Sequence, residues 1–197
     1  MDAGGMRQKI KAGFWFMIPF ILVGGFLGKG AAVQAESVNA LNPLFETLPA
    51  AQFREVKDWE KANDPEFPFS RTKGVFIGES DQGEISGAVV HLSSPGYGGP
   101  IGMLVAFDPA GRIIKVNVFR HRETECHIRA MTQGTFLDQF NGVTLWDKLR
   151  MMVGLKPAGQ GDIQAMTGGT ITSRAVTEGV AEARQVFYKL LNGGTLQ

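Results

Sequence analysis

Ile101-Gly102-Met103-Leu104-Val105-Ala106-Phe107, Asp108-Pro109-Ala110-Gly111 and, after Arg112, Ile113-Ile114-Lys115-Val116-Asn117-Val118-Phe119 read as an apolar run, a tight turn and a returning run. That order predicts a β-hairpin. Just upstream, Gly74-Val75-Phe76-Ile77-Gly78 reads as a strand, Asp81-Gln82-Gly83 as a turn and Ile85 to Leu92 as the strand coming back. Two consecutive hairpins predict an antiparallel sheet of at least four strands. Downstream, Arg174 to Leu191 has apolar residues at Val176, Val180, Ala183, Phe187 and Leu190, stepping by fours and threes along one helical face. Asn192-Gly193-Gly194 supplies the stop chemistry for that helix. Shorter helices are predicted over Gly134–Phe140 and Trp146–Met152, whereas Ala50–Arg71, charged and carrying Pro65 and Pro68, reads as loop. The fold class is α+β: an antiparallel sheet with packed helices in a domain of about 160 residues, large enough for a stable core.

In front of that domain the sequence changes character. No charge appears from Ala12 to Gly28, and Phe14-Trp15-Phe16-Met17-Ile18-Pro19-Phe20-Ile21-Leu22-Val23 is densely apolar. Residues 12–33 amount to about 22 residues, against the ~20 that a membrane-spanning helix needs. Lys29, near the far end, can extend its ammonium to the interface. Arg7, Lys9 and Lys11 precede the run, which places residues 1–11 in the cytoplasm and residues 36–197 outside it. The same features also read as a cleaved signal peptide, with Val33-Gln34-Ala35 as its small-residue exit. Either way the folded domain is extracytoplasmic, on the periplasmic side where there is one. Between anchor and sheet, Val38, Leu41, Leu44, Phe45 and Leu48 are spaced for a short helix that Pro43 interrupts.

Composition narrows the function classes. A net charge of +1 over 197 residues gives no sign of nucleic-acid binding. The single cysteine, Cys126, rules out an intramolecular disulfide, and no C-x-x-C-H haem attachment motif is present. Cys126 and His127 form a two-residue ligand pair that lacks two further partners at metal-site spacing, so no metal site is expected.

Three stretches carry the candidate chemistry. Thr167-Gly168-Gly169-Thr170-Ile171-Thr172-Ser173-Arg174 sets four hydroxyls and two glycines at the mouth of the last helix. Glycine lets a backbone approach a ligand closely, and a helix N-terminus offers unpaired N–H groups and partial positive charge to a phosphate. The Thr170 hydroxyl is thus placed to carry a phosphate-linked cofactor, although hydroxyls before a helix also serve simply as caps. Ser93-Ser94-Pro95-Gly96-Tyr97-Gly98-Gly99-Pro100 joins the two hairpins, either as an ordinary turn or as an exposed loop whose tyrosine suits a planar ligand. Arg120-His121-Arg122-Glu123-Thr124 ends the second hairpin and reads on its own as a solvated rim.

Taken together, Gly96–Ile101 (GYGGPI), His121–Thr124 (HRET) and the terminal TGGTITSRAV resemble, in that order, the FMN-binding G subunit of the Rnf electron-transport complex. They are similar also to the C subunit of the sodium-translocating NADH:quinone oxidoreductase. The resemblance covers most of the chain, the apolar N-terminal segment included. It implies FMN held covalently, its phosphate esterified to Thr170 by a separate flavin transferase. It further implies Thr167, Gly168, Gly169, Thr172 and Ser173 around the phosphate, with the N–H groups of Thr172 and Ser173 and the hydroxyls of Thr167 and Thr172 as its partners. Tyr97, Gly98, Glu123 and Thr124 would approach the flavin ring.

The function implied is that of a membrane-anchored electron carrier without a substrate pocket or catalytic residues of its own. It would be one component of an ion-translocating oxidoreductase in the inner membrane, packed against other membrane subunits. A flavin-binding sensory or assembly domain is the alternative, and a cofactor-free scaffold a third reading. Three positions depart from the family pattern. Gln164 stands where the family has Asp, Gly169 where it has Ala, and Glu125-Cys126-His127-Ile128 replaces the end of an E-T-P-G-L-G turn beside the flavin.

Overall fold

The structure, a computed structural model, describes residues 48, 50, 52–57, 59–62 and 69–193. The expected membrane helix over 12–33, the exit at 33–35 and the helix interrupted by Pro43 lie outside the described residues. Among the described residues no helix is long and apolar enough to cross a membrane.

Five strands run in chain order as an antiparallel meander: β1 (Gln52–Glu55), β2 (Thr72–Glu79), β3 (Ile85–Pro95), β4 (Pro100–Phe107) and β5 (Ile113–Arg120). Both expected hairpins are present. Strand alternation sorts their side chains onto two faces. Val75, Val90, Val105 and Val116 pair across β2 to β5 on one face, and Phe76, Val89 and Ala106 pair on the other. Seven of the eight residues of interior strand β4 are buried, so both faces of the sheet are covered there.

The long helix, α2 (Thr170–Asn192), packs on the valine face through Val176, Val180, Ala183, Phe187 and Leu190. Phe187 stacks on Phe107 with ring centroids 4.8 Å apart. At the closest approach, a Cβ on Gly179 would sit 2.7 Å from Ser94 Oγ and 2.8 Å from Met103 Sδ, so helix and sheet nearly touch.

Four expectations are corrected. The stretch over 50–71 contains β1 and a 3₁₀ turn at Trp59–Ala62. Gln52-Phe53-Arg54-Glu55 shows no apolar alternation because it is an exposed edge strand, held by its ladder to β2 and by the Arg54–Glu79 ion pair at 2.9 Å. The helix expected over Trp146–Met152 is absent. Instead β6 (Arg150–Met152) pairs in parallel with β7 (Asp162–Gln164), and Asp162 Oδ1 accepts from Arg150 Nε at 2.8 Å. Over 134–140 only Leu137–Phe140 is helical, as one 3₁₀ turn. Finally, α2 begins at Thr170, four residues before Arg174.

On the face away from α2, His91 packs against Phe119 with ring centroids 5.3 Å apart. Burial first, and the nearby Lys73 ammonium second, hold its imidazole below the ordinary value of 6.5. As pH falls the unfolded chain takes up this proton first. The stabilisation is whole above about pH 6.5 and is lost as pH falls through the lower folded value. The urea midpoint is therefore expected to fall between pH 7 and pH 5, and to fall less in His91→Gln. Equal pH slopes in the two proteins would remove His91 as the cause.

Candidate functional site

All three sequence stretches meet at one end of the sheet. The turn between β3 and β4 is closed by the Gly96 N–H donating to the Gly99 carbonyl at 2.9 Å. Its Gly98 lies so close to the end of β5 that a Cβ there would stand 2.0 Å from the Arg122 carbonyl oxygen. Only glycine fits this contact. The next residue in the β5 exit, Glu123, is 6% exposed. Its Oε1 accepts from the Gly98 N–H at 2.9 Å and its Oε2 accepts from Thr172 Oγ1 at 2.6 Å. One buried carboxylate thus ties the glycine turn to the first turn of α2. Its neighbours have the composition of a charged rim, but Glu123 faces inward.

The entry to α2 is built around Ser173. Its N–H and its hydroxyl both donate to the Gly169 carbonyl at 2.8 Å, and its Oγ accepts from the Met166 N–H at 2.9 Å. The Gly169 N–H donates to the Met166 carbonyl at 3.0 Å, and Gly168 takes a φ of +75°, where a side chain would be strained. These bonds fold residues 166–169 into a tight loop and leave Thr170 as the first helical residue.

Gly169 caps the helix without any side-chain hydrogen bond, and the first turn has no acidic residue. The N–H groups of Thr170, Ile171 and Thr172 precede the first intrahelical bond and remain as donors. That arrangement suits an anion. Of the hydroxyls expected around a phosphate, Thr167 is exposed and Thr170 half-buried, whereas Thr172 and Ser173 are buried and already bonded within the protein. The Ser173 N–H likewise serves the helix ladder.

Between these parts lies an element that the sequence pattern does not announce, α1 (Glu125–Thr132). The Glu125–Arg129 pair at 2.8 Å spans one turn, and Met131 is its buried anchor. That one spacing, with Thr124 at the N-cap position, is the signal of it in the sequence. The Thr124 hydroxyl makes no backbone cap but meets His127 Nδ1 at 3.0 Å. The His127 ring stands edge-on to that of the exposed Tyr97, 6.5 Å away, and lies over the glycine pair 168–169.

A glycine turn, an inward carboxylate and an open helix N-terminus, all at one end of an antiparallel sheet, make an arrangement suited to a phosphate-bearing cofactor. The family model for the FMN-binding domain matches residues 96–185, a span that begins at the glycine turn and ends within α2. The chain belongs to the family of G subunits of ion-translocating oxidoreductase complexes, the Rnf family that its three motifs resemble. It is 33% identical to the G subunit of the Na(+)-translocating ferredoxin:NAD(+) oxidoreductase complex of Acetobacterium woodii, over 74% of this chain and 68% of that protein. It is 29% identical to the G subunit of the ion-translocating oxidoreductase complex of Stutzerimonas stutzeri, over 83% of this chain and 71% of that protein. In fold it is similar to the NqrC protein of Shewanella oneidensis, with a TM-score of 0.56 at 20% identity over 81% and 89% of the two chains. It is similar also to the C subunit of the Na(+)-translocating NADH-quinone reductase of Parabacteroides distasonis, with a TM-score of 0.58 at 18% identity over 85% and 98%.

The bracing role of Glu123 gives a direct expectation. Glu123→Ala leaves the Gly98 N–H and the Thr172 hydroxyl without their charged acceptor, at a cost of about 3 kcal/mol. Glu123→Gln costs less, because its one carbonyl oxygen still accepts from one of the two. Urea unfolding of both variants measures this, and a Glu123→Ala midpoint equal to wild type would show that the brace carries no load.

Proposed function

We propose that the chain is the electron-carrying subunit of an Rnf-type ion-translocating oxidoreductase, with FMN joined through its phosphate to the Thr170 hydroxyl. The observation that carries this reading is the placement of Thr170. It opens α2 beside the N–H groups that precede the first intrahelical bond, with no acidic residue in the helix's own first turn and with the one carboxylate that reaches that turn, Glu123, already bonded to Gly98 and Thr172. A phosphodiester at that position keeps one negative charge, favoured by the helix end by about 0.3–1 kcal/mol. The N–H groups of Thr170, Ile171 and Thr172 and the hydroxyl of Thr167 would hold the phosphate, while Tyr97, on the rim of the same site, offers its ring to the flavin. Bound FMN supplies the acceptance and release of electrons, and the protein sets its position and surroundings.

Residues 12–33 anchor the domain in the inner membrane with residues 1–11 in the cytoplasm, and the domain works outside it against the other membrane subunits. On this reading the chain needs no substrate pocket of its own. A covalent tether suits that location, where lost FMN has no cytoplasmic pool to replace it.

The test is a denaturing gel under ultraviolet light, run on alkali-washed membranes from cells that also make the flavin transferase. A yellow fluorescent band at the mass of the chain is expected. A dark band ends the covalent reading, and fluorescence only in the soluble fraction ends the anchored one. Reduction of the flavin by its complex at turnover rate separates an electron carrier from a sensory or assembly domain, whose flavin would be reduced slowly.

A further inference from the structure

We propose that His127 is a binding residue for the phosphoryl group carried at Thr170, holding it through Nε2 while Thr124 fixes the ring through Nδ1. This inference rests on the ester just proposed and adds a ligand from the segment in which the chain departs from its family.

The geometry comes from the start of α1. A threonine at the N-cap position ordinarily accepts a backbone N–H from the first turn. Here the Thr124 hydroxyl is 3.0 Å from His127 Nδ1 instead, and makes no such cap. One ring nitrogen is therefore committed, and its commitment sets the state of the other. When the hydroxyl donates to Nδ1, the ring proton sits on Nε2; when the imidazole is charged, both nitrogens donate. In both of these states Nε2 is a donor; in the remaining tautomer, where Nδ1–H donates to the hydroxyl, Nε2 accepts, and a phosphoryl oxygen beside it selects against that form. Nε2 has no partner among the described residues.

The ring also lies where the phosphate would be. A Cβ on Gly168 would stand 3.9 Å from His127 Nε2, and one on Gly169 would stand 3.6 Å from Cδ2. Those glycines immediately precede Thr170, so the imidazole looks onto the loop that presents the hydroxyl. The α2 N–H donors meet the same loop from the helix side. Tyr97 bounds the ring edge-on.

Among the described residues no ion pair involves His127; the charged side chains on the neighbouring elements are Arg122 beside the glycine turn, Arg174 on α2, Glu123 and those of α1. Glu123, at the end of β5, has one oxygen on Gly98 and the other on Thr172. On α1 itself, Glu125 is paired with Arg129, and Cys126 contacts the Thr124 hydroxyl at 3.5 Å. The glycine turn contributes Tyr97, and residues 166–169 contain no ionisable side chain.

The full-length chain, matured with its flavin transferase and purified in detergent, is weighed intact and then followed by phosphorus NMR from pH 8 to pH 5. A phosphodiester has no proton of its own to lose in that window, unlike a phosphomonoester. Histidine side chains change charge there. The wild-type resonance is expected to move with pH, to lose that movement in His127→Gln, and to be displaced in Thr124→Val, where the ring loses its tether. A resonance that stays flat, or that titrates equally in His127→Gln, overturns the role of His127 while leaving the ester intact. A mass without the flavin increment overturns the ester and the His127 contact together.

Discussion

Thr170→Ala, matured beside the flavin transferase, emerges with a flavin-free mass and no fluorescent band, whereas Thr170→Ser keeps part of its flavin. The loss is expected to be essentially complete, because no neighbouring hydroxyl can take over. Thr172 is 1% exposed and donates to Glu123, and Ser173 is fully buried with its hydroxyl and its N–H both committed to the Gly169 carbonyl. Thr167 is exposed but lies within the loop, separated from the helix end by the glycine pair. Thr170 alone combines a reachable hydroxyl with the unpaired N–H groups of the helix end. Thr167→Ala, which removes one phosphate contact but not the esterified oxygen, should still carry flavin. Retention of flavin in Thr170→Ala, or its loss in Thr167→Ala, would move the attachment point and with it the proposed function.

How much of this is legible in the chain follows from the physical signals it carries. The two hairpins are legible because apolar alternation and turn residues repeat over eight-residue strands. The body of α2 is legible from its apolar stripe. Its start is not: Thr170-Ile171-Thr172 consists of β-branched residues of modest helix propensity, and the helix forms there only because Ser173 folds the preceding loop onto Gly169. The three-residue strands β6 and β7 are too short for periodicity and depend on the Arg150–Asp162 contact, which spacing does not reveal. The site's residues are recognisable as motifs, but their division of labour is not. Nothing in Arg122-Glu123-Thr124 distinguishes a solvated glutamate from one whose two oxygens join two distant segments. His127 is hidden for a related reason: its reach toward residues 168–169 depends on α1, an eight-residue helix with a single buried side chain.

Glu182 presents the same problem inside α2, and its replacement is expected to have the largest effect on stability. The residue is only 6% exposed. Its Oε1 accepts from the backbone N–H groups of Arg71 and Thr72, at 2.9 and 2.8 Å, and from Thr72 Oγ1 at 2.8 Å. Its Oε2 meets Arg71 Nη1 at 3.3 Å, while the other arm of that guanidinium pairs with Glu178 at 2.7 Å. One carboxylate therefore meets four donors from Arg71 and Thr72, at the entry to β2, and draws α2 against the sheet. Glu123 fixes the first turn of the same helix, and Gly179 allows contact between the two clamps. Held at these points, the helix brings its N-terminus to the glycine turn in one position, before any ligand arrives. Glu182→Ala strands those donors in a dry contact and should cost about 3–5 kcal/mol, a large share of the ~5–15 kcal/mol that holds a domain together. Glu182→Gln, which keeps one accepting oxygen, should lose less. Urea unfolding at constant slope reads both. A loss under about 1 kcal/mol in Glu182→Ala would place this carboxylate with ordinary exposed pairs, and the preset position of the attachment site would then rest on Glu123 and apolar packing alone.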